Sequence, residues 1–219
     1  MSQDSVDTGQ VLRCVSESLR ALIREHIAEL RPESAVVFES PAEIDSQGET
    51  KLSLYLYQLE INPYLRNLPP VLTRQAGADG APNSLMVEGP PLVADLLYMM
   101  VPYARSAELE LVLVEKLVRL FHDIPELSGE CLHPVLKKSG NRFIPIIPDF
   151  SSFERLHNIW SGFPNKAYKL TKLYSLSPVR IPSGDQWQSN MVVQGDLSAV
   201  PRAPGDIEQP APPMQKGRV

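Results

Sequence analysis

Asp95 is the residue whose type and setting come nearest to acid–base chemistry. It stands alone in the apolar stretch "VADLLYMM", where an unpaired carboxylate is costly and needs a partner. No nucleophile or base accompanies it. The expected account is therefore an arginine partner or a partly exposed face, not catalysis. The four histidines, His26, His122, His133 and His157, are scattered, and none forms an HExxH pair. Cys131 and His133 are spaced to share one side of a strand, but a zinc site needs further ligands and no second cluster supplies them. "GADG" lacks the lysine of a phosphate loop, and there is no GxSxG elbow. The expectation is a protein with no catalytic residues, no cofactor and no metal.

Tyrosines and polar residues crowd one other place, "KLSLYLYQLEINPYLRN" at 51–67. Tyrosines at alternate strand positions are usually core-edge residues with the hydroxyl at the rim. Polar side chains at strand ends commonly satisfy local backbone groups, so Arg66 and Asn67 are read as fixing the corner internally. Contact with a neighbouring molecule is the alternative.

The elements around these residues follow from periodicity. Apolar positions from Val11 to Leu30 recur at helical spacing and stop at Arg31-Pro32. "SAVVFESPAEI" and the strand beginning at Lys51 are expected to pair through a turn at Gly48. In that second strand Leu52, Leu54 and Leu56 share one face, and Ser53, Tyr55, Tyr57, Leu59 and Ile61 the other, which predicts cover on both sides.

Residues 68–91 carry paired prolines at each end and a Gly/Ala/Asn/Asp-rich middle, and read as a long exposed excursion. "LVADLLYMMVPYA" is a buried strand, and Ser106, Glu108 and Glu110 open the helix "SAELELVLVEKLVRLFHD". In 126–150 "CLHPVL" and "RFIPIIPDF" are extended pieces that their prolines should hold at sheet edges. Ser151 and Glu154 form a capping box for a short helix facing inwards with Phe153, Leu156, Trp160 and Phe163. A last strand, from Tyr168 through Leu170, Tyr174 and Leu176, shifts parity at Ser177-Pro178 before Val179 and Ile181. From Pro182 the Pro/Gly/Gln-rich composition predicts an extended tail, 182–219, beyond a domain at 1–181.

The 219 residues carry a net charge of −5, which offers no general attraction to nucleic acid phosphates. Two cysteines, Cys14 and Cys131, make no disulfide framework. No apolar run reaches the roughly 18 residues of a membrane span, and the N-terminal sequence lacks a signal-peptide pattern. Synthesis and retention in the cytoplasm are expected.

"LYLYQLEINPYLRN", "PPLVADLLYMMVPYA", "LVRLFHDIPEL" and "LHNIWSGF…YKLTKLYSLSPVRI" together resemble, in order and spacing, the N-terminal domain of the cap proteins of extracellular contractile injection systems. These are the tail terminators of the antifeeding-prophage and Photorhabdus virulence cassette type. The resemblance implies an α+β fold related to phage tail terminators, with a mixed, mainly antiparallel sheet flanked by helices. It also implies a hexameric ring that meets the inner tube protein and the sheath protein at the distal end of a particle that can be released from the cell after assembly.

A ring needs loops and edges facing its neighbours. Tyr64, Arg66, Asn67, Met86, Trp187, Met191, Val192 and Val193 are the candidate interface residues. An adaptor that docks a membrane or cargo factor through "NMVVQ" is the alternative function.

Overall fold

The strand foreseen at 92–103 is the axis on which the other elements are arranged. The computed structural model describes residues 10–44, 48–75, 84–150 and 153–190. In chain order the elements are α1 (Val11–His26), β1 (Val36–Val37), β2 (Lys51–Ile61), β3 (Val71–Gln75), β4 (Ser84–Glu88), β5 (Leu92–Tyr103), α2 (Ala107–Asp123), β6 (Glu126–Ser128), α3 (Pro134–Lys138), β7 (Phe143–Pro148), α4 (Phe153–Ser161), β8 (Lys172–Ile181) and β9 (Gln186–Asn190). Six strands form one sheet in the order β1-β2-β5-β8-β7-β6, and a separate sheet has the order β3-β4-β9. All pairings are antiparallel except β1 with β2. The fold is thus α+β with a mixed, mainly antiparallel sheet.

Strand alternation divides the large sheet between two apolar layers. On one face Leu52, Leu54, Ala94, Leu96, Tyr98, Met100, Tyr174 and Leu176 pack under α1, α2 and α3. On the other, Met99, Val101, Tyr103 and Leu173 meet Ile44 and the α4 residues Leu156, Ile159 and Trp160. The indole N–H of Trp160 donates to Thr171 Oγ1 at 3.1 Å, so its polar edge is satisfied inside that layer. Helix α2 starts where expected, with Ser106 Oγ accepting from the Leu109 N–H at 3.2 Å.

Several expectations are corrected. β1 and β2 do not form a hairpin through Gly48: they are parallel, Val36 opposite Leu52, because the intervening chain first crosses the other face and buries Ile44 there. The excursion at 68–91 contains a hairpin, β3–β4, since Val71-Leu72 and Leu85–Val87 supply strand-forming residues on either side of its Gly-rich middle.

"CLHPVL" is not extended. It runs through a 3-10 turn into α3, with Pro134 at the helix start, where its missing N–H costs nothing. β7 is an interior strand despite its prolines, because Phe143–Pro145 pair with β6 and Ile146–Pro148 with β8, so each half needs one partner only. α1 ends at His26, with a 3-10 turn at Ala28–Leu30 completing the apolar stripe.

Leu59, Ile61, Phe153, Tyr168 and Leu170 are exposed and not covered. A bulge between Leu56 and Gln58 sets Leu59 opposite Leu96 and Ile61 opposite Ala94, on the face of Leu52 and Leu54 and not on that of Tyr55 as expected; Phe153 begins α4, and β8 starts only at Lys172. The parity shift at Ser177-Pro178 is present as a bulge, and that peptide bond is cis. Residues 186–190, within the expected tail, form β9. Ser151, the expected capping residue, lies outside the described residues.

Candidate subunit interface

The end of β2 is pinned by one side chain. Asn62 donates its backbone N–H to the Val93 carbonyl at 2.9 Å and its side-chain amide to both Asp95 carboxylate oxygens at 3.2 Å. Its Oδ1 accepts from the N–H groups of Tyr64 and Leu65, each at 3.1 Å, which bends the chain out of the strand. Ser177 Oγ donates to the same Asp95 carboxylate.

Asp95 sits where Ser177 and Pro178 of β8 stand opposite a single residue of β5, so the bulge aims the Ser177 hydroxyl at it. The half-buried carboxylate is therefore satisfied by an amide and a hydroxyl. Of the two expected accounts, an arginine partner is not found among the described residues, whereas the partly exposed setting is; the identified contacts of Asp95 are structural ones.

The corner expected to be fixed by Arg66 and Asn67 is fixed by Asn62 instead. Both Arg66 and Asn67 are exposed and make no hydrogen bond or ion pair among the described residues. Tyr64 beside them is 92% exposed. The rigid base thus presents Tyr64, Arg66 and Asn67 outward.

The small sheet offers a second surface. Its register places Leu72, Val87 and Trp187 directly opposite one another, hence on one face. Val87 is buried between its two neighbours, whereas Leu72 is 59% and Trp187 49% exposed. Met86 pairs with Gln188, so it points to the other face from Trp187 and the two do not act together.

Sequence reasoning misses Leu72 and Val87 as site residues, because it reads the excursion without strands. Leu85-x-Val87, facing the same way, is the available signal. The β4–β9 pairing is extended at one end by Gly89, whose N–H donates to the Asp185 carbonyl at 2.9 Å. Met191, Val192 and Val193 lie outside the described residues.

The structure brings the ligand atoms of Cys14, Glu17 and His133 within 4.8 Å of one another. Two of the three are engaged structurally, since His133 Nδ1 accepts from the Val135 N–H at 3.2 Å to cap α3, and Glu17 accepts from Arg13 at 2.8 Å. Burial pushes the Cys14 thiol above its ordinary pKa, and nearby Glu17 adds to this, which disfavours the thiolate. None of the helices among the described residues is long and apolar enough to cross a membrane.

The family model described as the Pvc16 N-terminal domain matches residues 14–195. Among curated proteins no match was found. One similar solved structure is the sheath/tube terminator, in the extended state, of an extracellular contractile injection system, PVC. It has 17% sequence identity and a TM-score of 0.61, over 94% of this chain and 66% of that one. Another is the tube-terminating cap of the anti-feeding prophage, with 16% identity and a TM-score of 0.57, over 85% of this chain and 60% of that one. The chain therefore spans somewhat less than two thirds of the length of these relatives.

Proposed function

The chain belongs to the Pvc16 N-terminal domain family, and from that premise we propose that it is a structural cap, ending the inner tube and sheath of a phage-tail-like contractile injection particle. The backbone likeness to the two terminator structures supports this reading. The observation that carries it within this molecule is the apolar row Leu72–Val87–Trp187 on the small sheet, whose outer members Leu72 and Trp187 are half-exposed. Half-exposed large apolar side chains in a row mark a contact surface more readily than a reaction site.

In this reading the inner tube protein and the sheath protein are the partners, and six copies close a ring. Tyr64, Arg66, Asn67 and Trp187 contribute contacts. Residues 1–181 form the body, and the segment from 182 onward adds β9 to the small sheet. Synthesis in the cytoplasm precedes assembly into the particle.

Deleting the gene tests the proposal directly. Tubes and sheaths of uncontrolled length, or frayed particles, are the expected result by electron microscopy. Particles of normal length and stability would overturn it.

A further inference from the structure

The terminator reading requires a head-to-tail contact, and such a contact needs two different patches on opposite flanks of one subunit. The sheet order supplies those flanks, with β1-β2 at one end and β7-β6 at the other. At the first end β1 pairs only with Leu52 and Ser53, so the outer rim of β2 from Tyr55 to Ile61 has no strand partner among the described residues. Main-chain donors and acceptors on such a rim are open to another chain.

Apolar and acidic side chains stand beside that rim, together with Arg155, which donates to the Tyr57 hydroxyl at 3.3 Å and is ion-paired with Asp149. Leu59 and Ile61 are exposed, and Glu60 between them in sequence accepts from the Gln58 amide at 2.7 Å. Glu39, further along this flank, is exposed with no ion pair among the described residues.

The opposite flank carries the complement. Lys137, Lys138 and Arg142 are exposed and have no carboxylate within salt-bridge distance among the described residues. Phe143 follows, 55% exposed. The segment that displays them, from the end of α3 to the start of β7, is pinned at Asn141, which donates its side-chain amide to the Arg180 carbonyl and accepts from the Arg180 N–H, both at 2.8 Å. Such a segment loses little freedom on binding. Glu126 and Glu130 lie on the β6 side of this flank, which directs an acidic partner towards residues 137–143.

We propose that the outer rim of β2 in one copy, around Glu60 and Ile61, docks on the basic, aromatic loop 137–143 of a second copy, and that repetition of this contact builds the ring. The inference rests on the terminator reading and deepens it by assigning the two faces. Opposite charge steers the encounter and fixes its register, while Leu59, Ile61 and Phe143 provide the apolar centre.

The test uses the full chain assembled with its tube and sheath proteins, in a Cys131→Ser background, with Cys14 left in place because it is buried. Ile61→Cys with Phe143→Cys is expected to give, on oxidation or with a short bismaleimide, a covalent ladder running beyond dimers. Either cysteine alone gives no ladder. Separately, Glu60→Lys or Arg142→Glu weakens assembly at least about tenfold by sedimentation, and the double reversal restores it. Rings that form without a ladder and ignore both reversals overturn this contact and leave the terminator reading intact. Failure to form any ring, even with tube and sheath present, overturns both.

Discussion

The amide of Asn62 serves three segments at once: β5 through Asp95, the turn through Tyr64 and Leu65, and the end of β2 on which it stands. Its loss leaves a half-buried carboxylate short of donors and two N–H groups short of an acceptor. Asn62→Ala is accordingly expected to cost about 1–3 kcal/mol in urea unfolding. Asp95→Asn should cost less, since Ser177 and Asn62 can reorient towards an amide.

The buried tyrosines make a different prediction. Tyr98 shares a hydrogen bond of 2.7 Å with Ser16, and burial pushes its pKa up to about 12; Tyr103 also reaches about 12, through burial and then the charge of Glu110. In the unfolded chain both hydroxyls titrate near 10. Between those values the unfolded state has lost protons that the folded state keeps, so stability falls as pH rises. Each tyrosine contributes on the order of 1 kcal/mol per pH unit to that fall. Below about pH 10 the contribution is full. Unfolding monitored from about pH 9 to 12 checks this, and Tyr98→Phe should flatten the curve.

At the scale of elements, the joint between the two sheets is the sensitive point. A Cβ on Gly89 would lie 2.7 Å from Ser183 Oγ and 3.2 Å from Ser183 Cβ. Ser183 Oγ also accepts from the Asp185 N–H, so moving it loosens the turn that leads into β9. Gly89→Ala should therefore cost about 1–3 kcal/mol and free β9 before the body unfolds. Trp187 fluorescence reports the first step and far-ultraviolet circular dichroism the second. Ser183→Gly in the same chain should recover part of the loss.

The elements also show how far the fold is legible in the sequence. α1, α2, β2, β5 and β8 are readable because each repeats its apolar period over three turns or more, or over a full strand. The hairpin β3–β4 is not, because two short strands separated by a Gly-rich stretch resemble a loop in any local window. Proline rules put β7 at an edge because they see one strand at a time, whereas the pairing of β7 changes partner halfway. Asp95 is recognisable as needing a partner. Its partners, Asn62 and Ser177, lie 33 and 82 residues away, and only the fold brings them together.

For the whole molecule, the apolar row of the small sheet and the open rim of β2 should be separable from folding. Leu72→Ser with Trp187→Ser alters two half-exposed side chains, so the change in stability should stay within about 1 kcal/mol. Incorporation of the variant into particles should nevertheless fall at least about tenfold, read by quantitative blotting of purified particles. Normal incorporation would show that the small sheet makes no contact that matters to assembly.

Pairing along both edges of β5 has a mechanical consequence. β5 is paired with β2 from Lys51 to Ile61 and with β8 from Lys172 to Ile181, so it is bonded on both long sides. A pull applied at Tyr64 along the axis of β2 loads those cross-strand bonds together, as shear. The same pull applied across the strand would open them one after another. The corner that Asn62 pins is thus a strong handle in one direction and a weak one in the other: a load along β2 is met by the bonds of β2, β5 and β8 at once.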